Sequence, residues 1–172
     1  HIIVEKSESI GVITLNRPEV LNAMDQLLFR ELDTAVGDMD ADPDINAVVF
    51  TGKGDRAFSA GADIHEIARL AERTDSPPPD PQRRYYAWHI ATCRKPTIGA
   101  LNGLSYGGGA VLASSFDIRV GCERSRFRFL AASYGRVNST WSLPMQVGWP
   151  VAKELLFTAR VIQAKEAYQI GL

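Results

Sequence analysis

The sequence predicts an α/β fold, and three observations carry that reading. Apolar β runs such as "INAVVFTG" end in glycine, helical stripes with three-and-four spacing lie between them, and the two kinds of segment alternate along the chain. A run apolar on nearly every residue suits a strand covered on both faces, and strands separated by helices suit parallel pairing through right-handed crossovers. With 172 residues, 45% hydrophobic and 23% charged, the chain is expected to form a single domain over 1–172 with a substantial core.

The opening "IIVEKSESIGVITLNRP" holds two short β runs, 2–5 and 10–15, around a polar Ser-Glu-Ser turn, and Pro18 ends the second. From 21 to 39 the apolar residues Leu21, Met24, Leu28, Leu32, Ala35, Val36 and Met39 make one helical stripe, with Asn22 or Asp25 as its cap. "INAVVFTG" is the next strand, followed by a loop, "KGDRAFSAGAD", and a helix over 64–73. "TDSPPPDPQ" reads as an extended, solvated loop inside the domain, because the sheet pattern resumes after it. "YYAWHIATCRK" is expected to be helical and "PTIGALNG" a strand; a glycine turn, a helix over 108–115 and the strand "DIRVG" follow. The closing "AKEAYQIGL" has the look of a helix ended by a glycine cap, and a C-terminal truncation is expected there.

Composition excludes several function classes. The 19 basic and 20 acidic side chains are interleaved and give a net charge of −1, so no basic face for nucleic acid or anionic lipid stands out. No apolar run approaches the ~20 residues of a membrane span, and no leader pattern opens the chain, which points to a cytoplasmic protein without membrane partners. Cys93 and Cys122 are too few for a disulfide framework or a zinc site, and read as small apolar residues.

Two places share a pattern: a β run ends, a glycine-containing loop follows, and a helix starts. They are "VVFTGKGDRAFSAGADIHEI" and "TIGALNGLSYGGGAVLA". The first N–H groups of a helix lack intrahelical partners and the helix dipole favours negative charge there, so such turns present donors to an anion. Two of them converging would make a two-donor oxyanion hole for an acyl or thioester carbonyl. The alternative is a pair of tight turns that serve only close helix–sheet packing. A phosphate cradle fits less well, since neither GxxxxGK[ST] nor GxGxxG is present.

"LNRPEVLNAM", "AFSAGADI", "KPTIGALNGLSYGGG" and "DIRV" occur in an order and spacing that resemble the enoyl-CoA hydratase/isomerase, or crotonase, superfamily over nearly the whole chain. The resemblance implies a crotonase-like spiral of ββα units whose C-terminal helical part is missing here. It also implies a homotrimer or dimer of trimers acting on acyl-CoA thioesters, with coenzyme A as part of the substrate and no covalently bound cofactor. The backbone oxyanion donors it implies fall on Ala60 and Gly108. The residues against coenzyme A fall on Val20, Leu21, Ala62, Asp63 and Ile64. Asp63 and Asp117 match motif aspartates expected to cap or hydrogen-bond.

Hydratases of that family place two glutamates where this chain has Val111 and Ala131, and neither replacement can move a proton. No Asp or Glu lies between Glu123 and Glu154, so a slip in the alignment does not restore the second one. Tyr106, Val111, Ala131, Ser139 and Trp141 are the expected substrate-pocket residues, with Asn138 beside them, although Tyr106 and Trp141 read more readily as packing aromatics. His65 and His89 are the internal histidines, and nothing in the sequence supplies either with an orienting partner. Arg83 and Arg84 are candidates for the coenzyme A phosphates or a solvated pair. Three functions stay open: an enzyme of this superfamily with its acid/base group elsewhere, a catalytically silent acyl-CoA binder, and a bare scaffold. The enzyme reading includes other thioester reactions of the fold, such as hydrolysis or decarboxylation.

Overall fold

The computed structural model describes residues 1–72 and 86–172; the proline segment, Arg83 and Arg84 fall outside them. The chain opens with an antiparallel hairpin, β1 (Ile2–Ser7) and β2 (Ile10–Leu15), in register from Ile2 opposite Leu15 to Ser7 opposite Ile10. It then adds parallel strands β3 (Ala47–Gly52), β5 (Thr97–Leu101) and β7 (Ile118–Gly121), giving a five-stranded sheet in the order β1-β2-β3-β5-β7.

A second sheet was not legible in the sequence. Strands β4 (Ala57–Ser59), β6 (Leu104–Tyr106), β8 (Arg126–Arg128) and β9 (Ile162–Gln163) line up in that order, the first three parallel and the last antiparallel. Strands β4, β6 and β8 each lie a few residues after a strand of the first sheet, in stretches that did not read as strand, and β9 follows α6. Successive units therefore contribute one strand to each sheet before the chain moves on, and this is the expected spiral of ββα units. Helices α2 (Ile64–Ala71) and α4 (Gly108–Ser115) follow β4 and β6 directly.

Helix α1 runs Gln26–Ala41, not from 21 as the apolar stripe suggested. The reason is backbone conformation. Pro18–Val20 form a 3-10 turn, and Leu21 (φ 57°) and Asn22 (φ 54°) are both left-handed, which no α-helix accommodates. Asp25 is the cap: its carboxylate accepts from Leu28 N at 2.8 Å. Asn22 is instead a buried clasp. Its side chain accepts from Arg17 N and donates to the carbonyls of Lys53 and Ala57, and its own carbonyl accepts from Ser59 Oγ. The "LNRPEVLNAM" stretch thus holds the start of the second sheet in place.

The remaining α-helices among the described residues are α3 (Tyr86–Ala91), α5 (Ser142–Val147), α6 (Trp149–Thr158) and α7 (Ala164–Ile170), the last ended by left-handed Gly171. The core lies between the sheets and α1. Phe116 sits at its centre, stacked on Phe50 at 4.8 Å and edge-on to Phe58 at 5.9 Å. Asp117 accepts from both Thr97 N and Thr97 Oγ1 at 2.8 Å, the structural hydrogen bonding expected of that motif aspartate. Among the described residues no helix is long and apolar enough to cross a membrane, and no cluster of His, Cys, Asp or Glu is arranged to hold a metal.

Candidate active site

The two glycine turns converge. Gly109 packs so closely on β4 that an added Cβ would lie 2.3 Å from Ser59 O, so the start of α4 rests directly on the strand leading into the Ala60–Asp63 loop. Gly61, at φ +94°, crosses the same turn from the other side: a Cβ on it would lie 2.7 Å from Gly108 N. Ala62 N in turn lies 3.5 Å from the place a Cβ would take on Gly108.

Which N–H groups remain available follows from their partners. Ala60 N donates to Leu21 O at 2.9 Å, and Gly107 N to Arg128 O at 2.9 Å. Asp63 N donates to Met24 O at 3.0 Å. The N–H groups of Ala62 and Gly108 have no hydrogen-bond acceptor among the described residues. This corrects the expectation for Ala60: its N–H is already engaged by the Leu21 carbonyl, and the free donor of that loop is two residues on.

Ala62 and Gly108 share a cavity of ≈ 400 Å³ with Ala60, Ile64, Gly107 and Ala131; Ile67, Leu130, Tyr134, Arg136, Val137 and Asn138 complete its described wall. Only Tyr134 and Arg136 of these twelve can ionise. Sequence reasoning did not single out Ile67, Leu130, Tyr134, Arg136 or Val137, although the last three lie in the stretch "SYGRVNSTWSL" that the resemblance sets against the acyl pocket. Tyr134 ends a 3-10 turn, Ala132–Tyr134, that left-handed Gly135 closes, and Arg136 and Val137 follow it; that glycine was the available signal.

Four expected pocket residues are not on this described wall. Val111 is 8% exposed on buried α4. Tyr106 lies in β6, with its carbonyl facing Gly61. Ser139 is buried at left-handed φ 52°, and Trp141 packs edge-on against Trp88 at 5.4 Å. Of the residues expected against coenzyme A, Ala62 and Ile64 line the cavity, whereas Val20 and Leu21 do not. Leu21 borders a separate hollow of ≈ 140 Å³ with Asn22, Lys53, Gly54, Asp55 and Arg56. The Asp63 carboxylate is unavailable to a ligand. It caps α2 through His65 N and Glu66 N and pairs with Arg17 Nη1 at 3.0 Å. His65 is exposed on α2, and the His89 ring is paired with Asp33 of α1; neither lines the cavity.

Spiral topology, paired glycine turns and a two-donor cavity now stand together, and sequence comparison decides what they belong to. A profile of the family described as enoyl-CoA hydratase/isomerase matches residues 5–172. The chain belongs to the enoyl-CoA hydratase/isomerase family. It is 35% identical to the short-chain-enoyl-CoA hydratase of Clostridium acetobutylicum, an alignment covering 100% of this chain and 67% of that protein. It is 36% identical to the mitochondrial enoyl-CoA hydratase of Pongo abelii, covering 100% and 60%. Among solved structures, a putative enoyl-CoA hydratase/isomerase (crotonase) from Legionella pneumophila superposes with a TM-score of 0.90 at 28% identity over 99% of this chain and 67% of that one. Enoyl-CoA hydratase EchA8_6 from Mycobacterium marinum gives 0.90 at 31% identity over 99% and 80%. The chain thus spans roughly two thirds of the length of most of these family relatives.

Proposed function

We propose that the chain is one acyl-CoA-binding domain that seats a thioester over Ala62 and Gly108, whose backbone N–H groups receive the thioester oxygen. The observation that carries this is the pair of N–H groups, from two different loops on one cavity wall, that have no acceptor among the described residues. An oxygen that gains negative charge, as in an enolate, gains most from donors already fixed in place; each is worth ~2.7–4 kcal/mol. The N-terminus of α4 adds its dipole on the Gly108 side. Coenzyme A is then part of the substrate. The neighbouring hollow with Lys53 and Arg56 supplies cations suited to its phosphates, and exposed Ile64 an apolar contact.

Hydration by paired carboxylates is not part of this reading, because Val111 and Ala131 stand where the family's hydratases carry glutamates. A second reading follows from the same wall: with no carboxylate or imidazole among its described residues, the chain is a silent acyl-CoA binder or runs a thioester reaction of another kind, such as hydrolysis or decarboxylation. Assembly as a homotrimer or dimer of trimers is supported by the exposure of Met145, Trp149, Phe157 and Tyr168 on α5–α7, an apolar surface suited to self-association. Sedimentation velocity tests that point.

The deciding experiment is calorimetric titration with crotonyl-CoA and a longer enoyl-CoA while the enoyl absorbance is followed in the same samples. Binding with loss of absorbance supports a hydratase with relocated groups. Binding without turnover supports the second reading, and no binding to either ligand removes the proposal.

A further inference from the structure

We infer that Arg17 is a positioning residue that orients and polarises the Ala62 N–H through two intervening peptide groups. This rests on the reading that Ala62 receives the thioester oxygen.

The chain of contacts is continuous. Arg17 Nη1 donates to Ala23 O at 2.7 Å. Ala23 O and Met24 N belong to one peptide, and Met24 N donates to Gly61 O at 2.7 Å. Gly61 O and Ala62 N again belong to one peptide, and Ala62 N is the donor on the cavity wall that has no acceptor among the described residues. A trans peptide is planar, with its C=O and N–H pointing in opposite directions. Tying Gly61 O to Met24 therefore turns the Ala62 N–H away from Met24, toward the cavity it lines. The same planarity aligns the two peptide dipoles head to tail with the guanidinium at the far end. Hydrogen bonds in such a series polarise one another, so a positive charge on the first acceptor strengthens the last donor.

Arg17 is held for this task. Its side chain is 16% exposed, and Nη1 lies 3.0 Å from Asp63 Oδ2 and 3.5 Å from Asp25 Oδ2. Those two carboxylates cap α2 and α1, so the guanidinium is fixed against both helix starts while its Nη1 reaches Ala23 O. Asp63 N donating to Met24 O closes the bridge from the other side of Ala62. All three contacts run through Nη1, and a lysine ammonium, which also concentrates its donors on one nitrogen, ends one bond short of that position.

The test uses a conjugated dienoyl-CoA, whose absorption moves to the red when its thioester carbonyl is polarised. Wild-type protein is expected to give a red shift. Arg17→Met is expected to lose most of that shift while still binding the ligand, and Arg17→Lys to recover part of it. Arg160→Met, which breaks the exposed pairs with Glu154 and Glu166, serves as a control that lowers stability without moving the band. A folded Arg17→Met protein with the wild-type shift overturns the inference, because a purely structural arginine changes melting temperature and not the spectrum. If Arg17→Met does not fold, Arg17→Gln decides, because it keeps a neutral donor and removes the charge: a full wild-type shift overturns the inference and a reduced one supports it. Wild-type protein that binds without any shift, or does not bind, refutes the donor reading itself before Arg17 is at issue.

Discussion

A Cβ built on Gly61 would lie 2.7 Å from the Gly108 nitrogen and 2.6 Å from the Tyr106 carbonyl oxygen. Real Cβ atoms do not approach that closely, and both neighbours are backbone. Gly61 is therefore the residue that leaves the Gly108 N–H reachable while its own left-handed φ turns the loop toward α2. Gly61→Ala is expected to strain the loop by about 1–3 kcal/mol and to crowd the Gly108 donor. A lower melting temperature together with a lost dienoyl-CoA red shift is the expected pair of results. A lower melting temperature with an unchanged shift would place the glycine's role in folding alone.

Ala131 lines the cavity, whereas Val111 is buried on α4. The two substitutions Ala131→Glu and Val111→Glu should therefore differ. The first puts a carboxylate where it can reach a ligand and should be tolerated. The second buries a carboxylate in an apolar helix and should lower the melting temperature, with the new group held neutral by its surroundings. Acid/base catalysis by positioned groups contributes about 10²–10⁴-fold, so the double variant should hydrate crotonyl-CoA measurably above wild type if the cavity keeps hydratase geometry. Intact binding with no gain in hydration would count against that geometry.

The parts of this site that sequence revealed are those carried by local chemistry. Gly61 and the Gly107–Gly109 run mark turns because glycine tolerates conformations and close approaches that other residues do not, and α4 was placed at its observed bounds for that reason. What the sequence concealed depends on distant partners. Ala60 and Ala62 look alike in "SAGAD", and only the carbonyl of Leu21 from another loop distinguishes the engaged N–H from the free one. Strands β4, β6 and β8 are three residues each, too short for an alternation to show, and their pairing comes from register with one another. The α1 start was misplaced because Leu21 and Met24 continue the apolar spacing while the backbone between them is left-handed. Nothing local to Arg17 announces the peptide series that leads from it to Ala62.

Asp63 makes a prediction about acid. Burial alone would raise its pKa, but hydrogen bonds from Glu66 N–H and Arg17, with the Arg17 charge, hold it below the usual 3.8. Folded protein therefore binds this proton less readily than the unfolded chain. The stabilisation is complete above the unfolded value and is lost as pH falls from about 3.8 through the lower folded value. Asp63→Asn keeps the capping ability and removes the titration. The melting-temperature gap between wild type and this variant should be largest near neutral pH and close as pH drops below about 3.8. A gap that stays constant down to the acid limit would mean that the carboxylate's charge adds nothing to stability.

Arg119 holds the other end of α4. Its guanidinium donates to Phe116 O and to Gln146 Oε1, both at 2.6 Å, and more distantly to Ala113 O at 3.4 Å, while Nε has no partner among the described residues. Burial pushes its pKa down, the Asp117 charge opposes this, and no carboxylate among the described residues hydrogen-bonds it. Two effects compete on substitution. Arg119→Met removes the desolvation penalty of a buried charge, yet it leaves the C-terminal carbonyls of α4 and the Gln146 side chain without their donor, at about 1–3 kcal/mol for each unsatisfied group. A cation at a helix C-terminus also gains about 0.3–1 kcal/mol from the dipole. The losses outnumber the gain, so the variant should be less stable by about 2 kcal/mol, a fall in melting temperature of roughly 4–8 °C for a chain of this size. Arg119→Lys keeps a donor and the charge but reaches fewer acceptors, and should fall between the two. Since Gly108 lies at the opposite end of α4, acyl-CoA affinity below the melting transition should not change. A variant as stable as wild type would mean that the relieved desolvation cancels the lost hydrogen bonds, and Arg119 would then not be what secures α4 against α5.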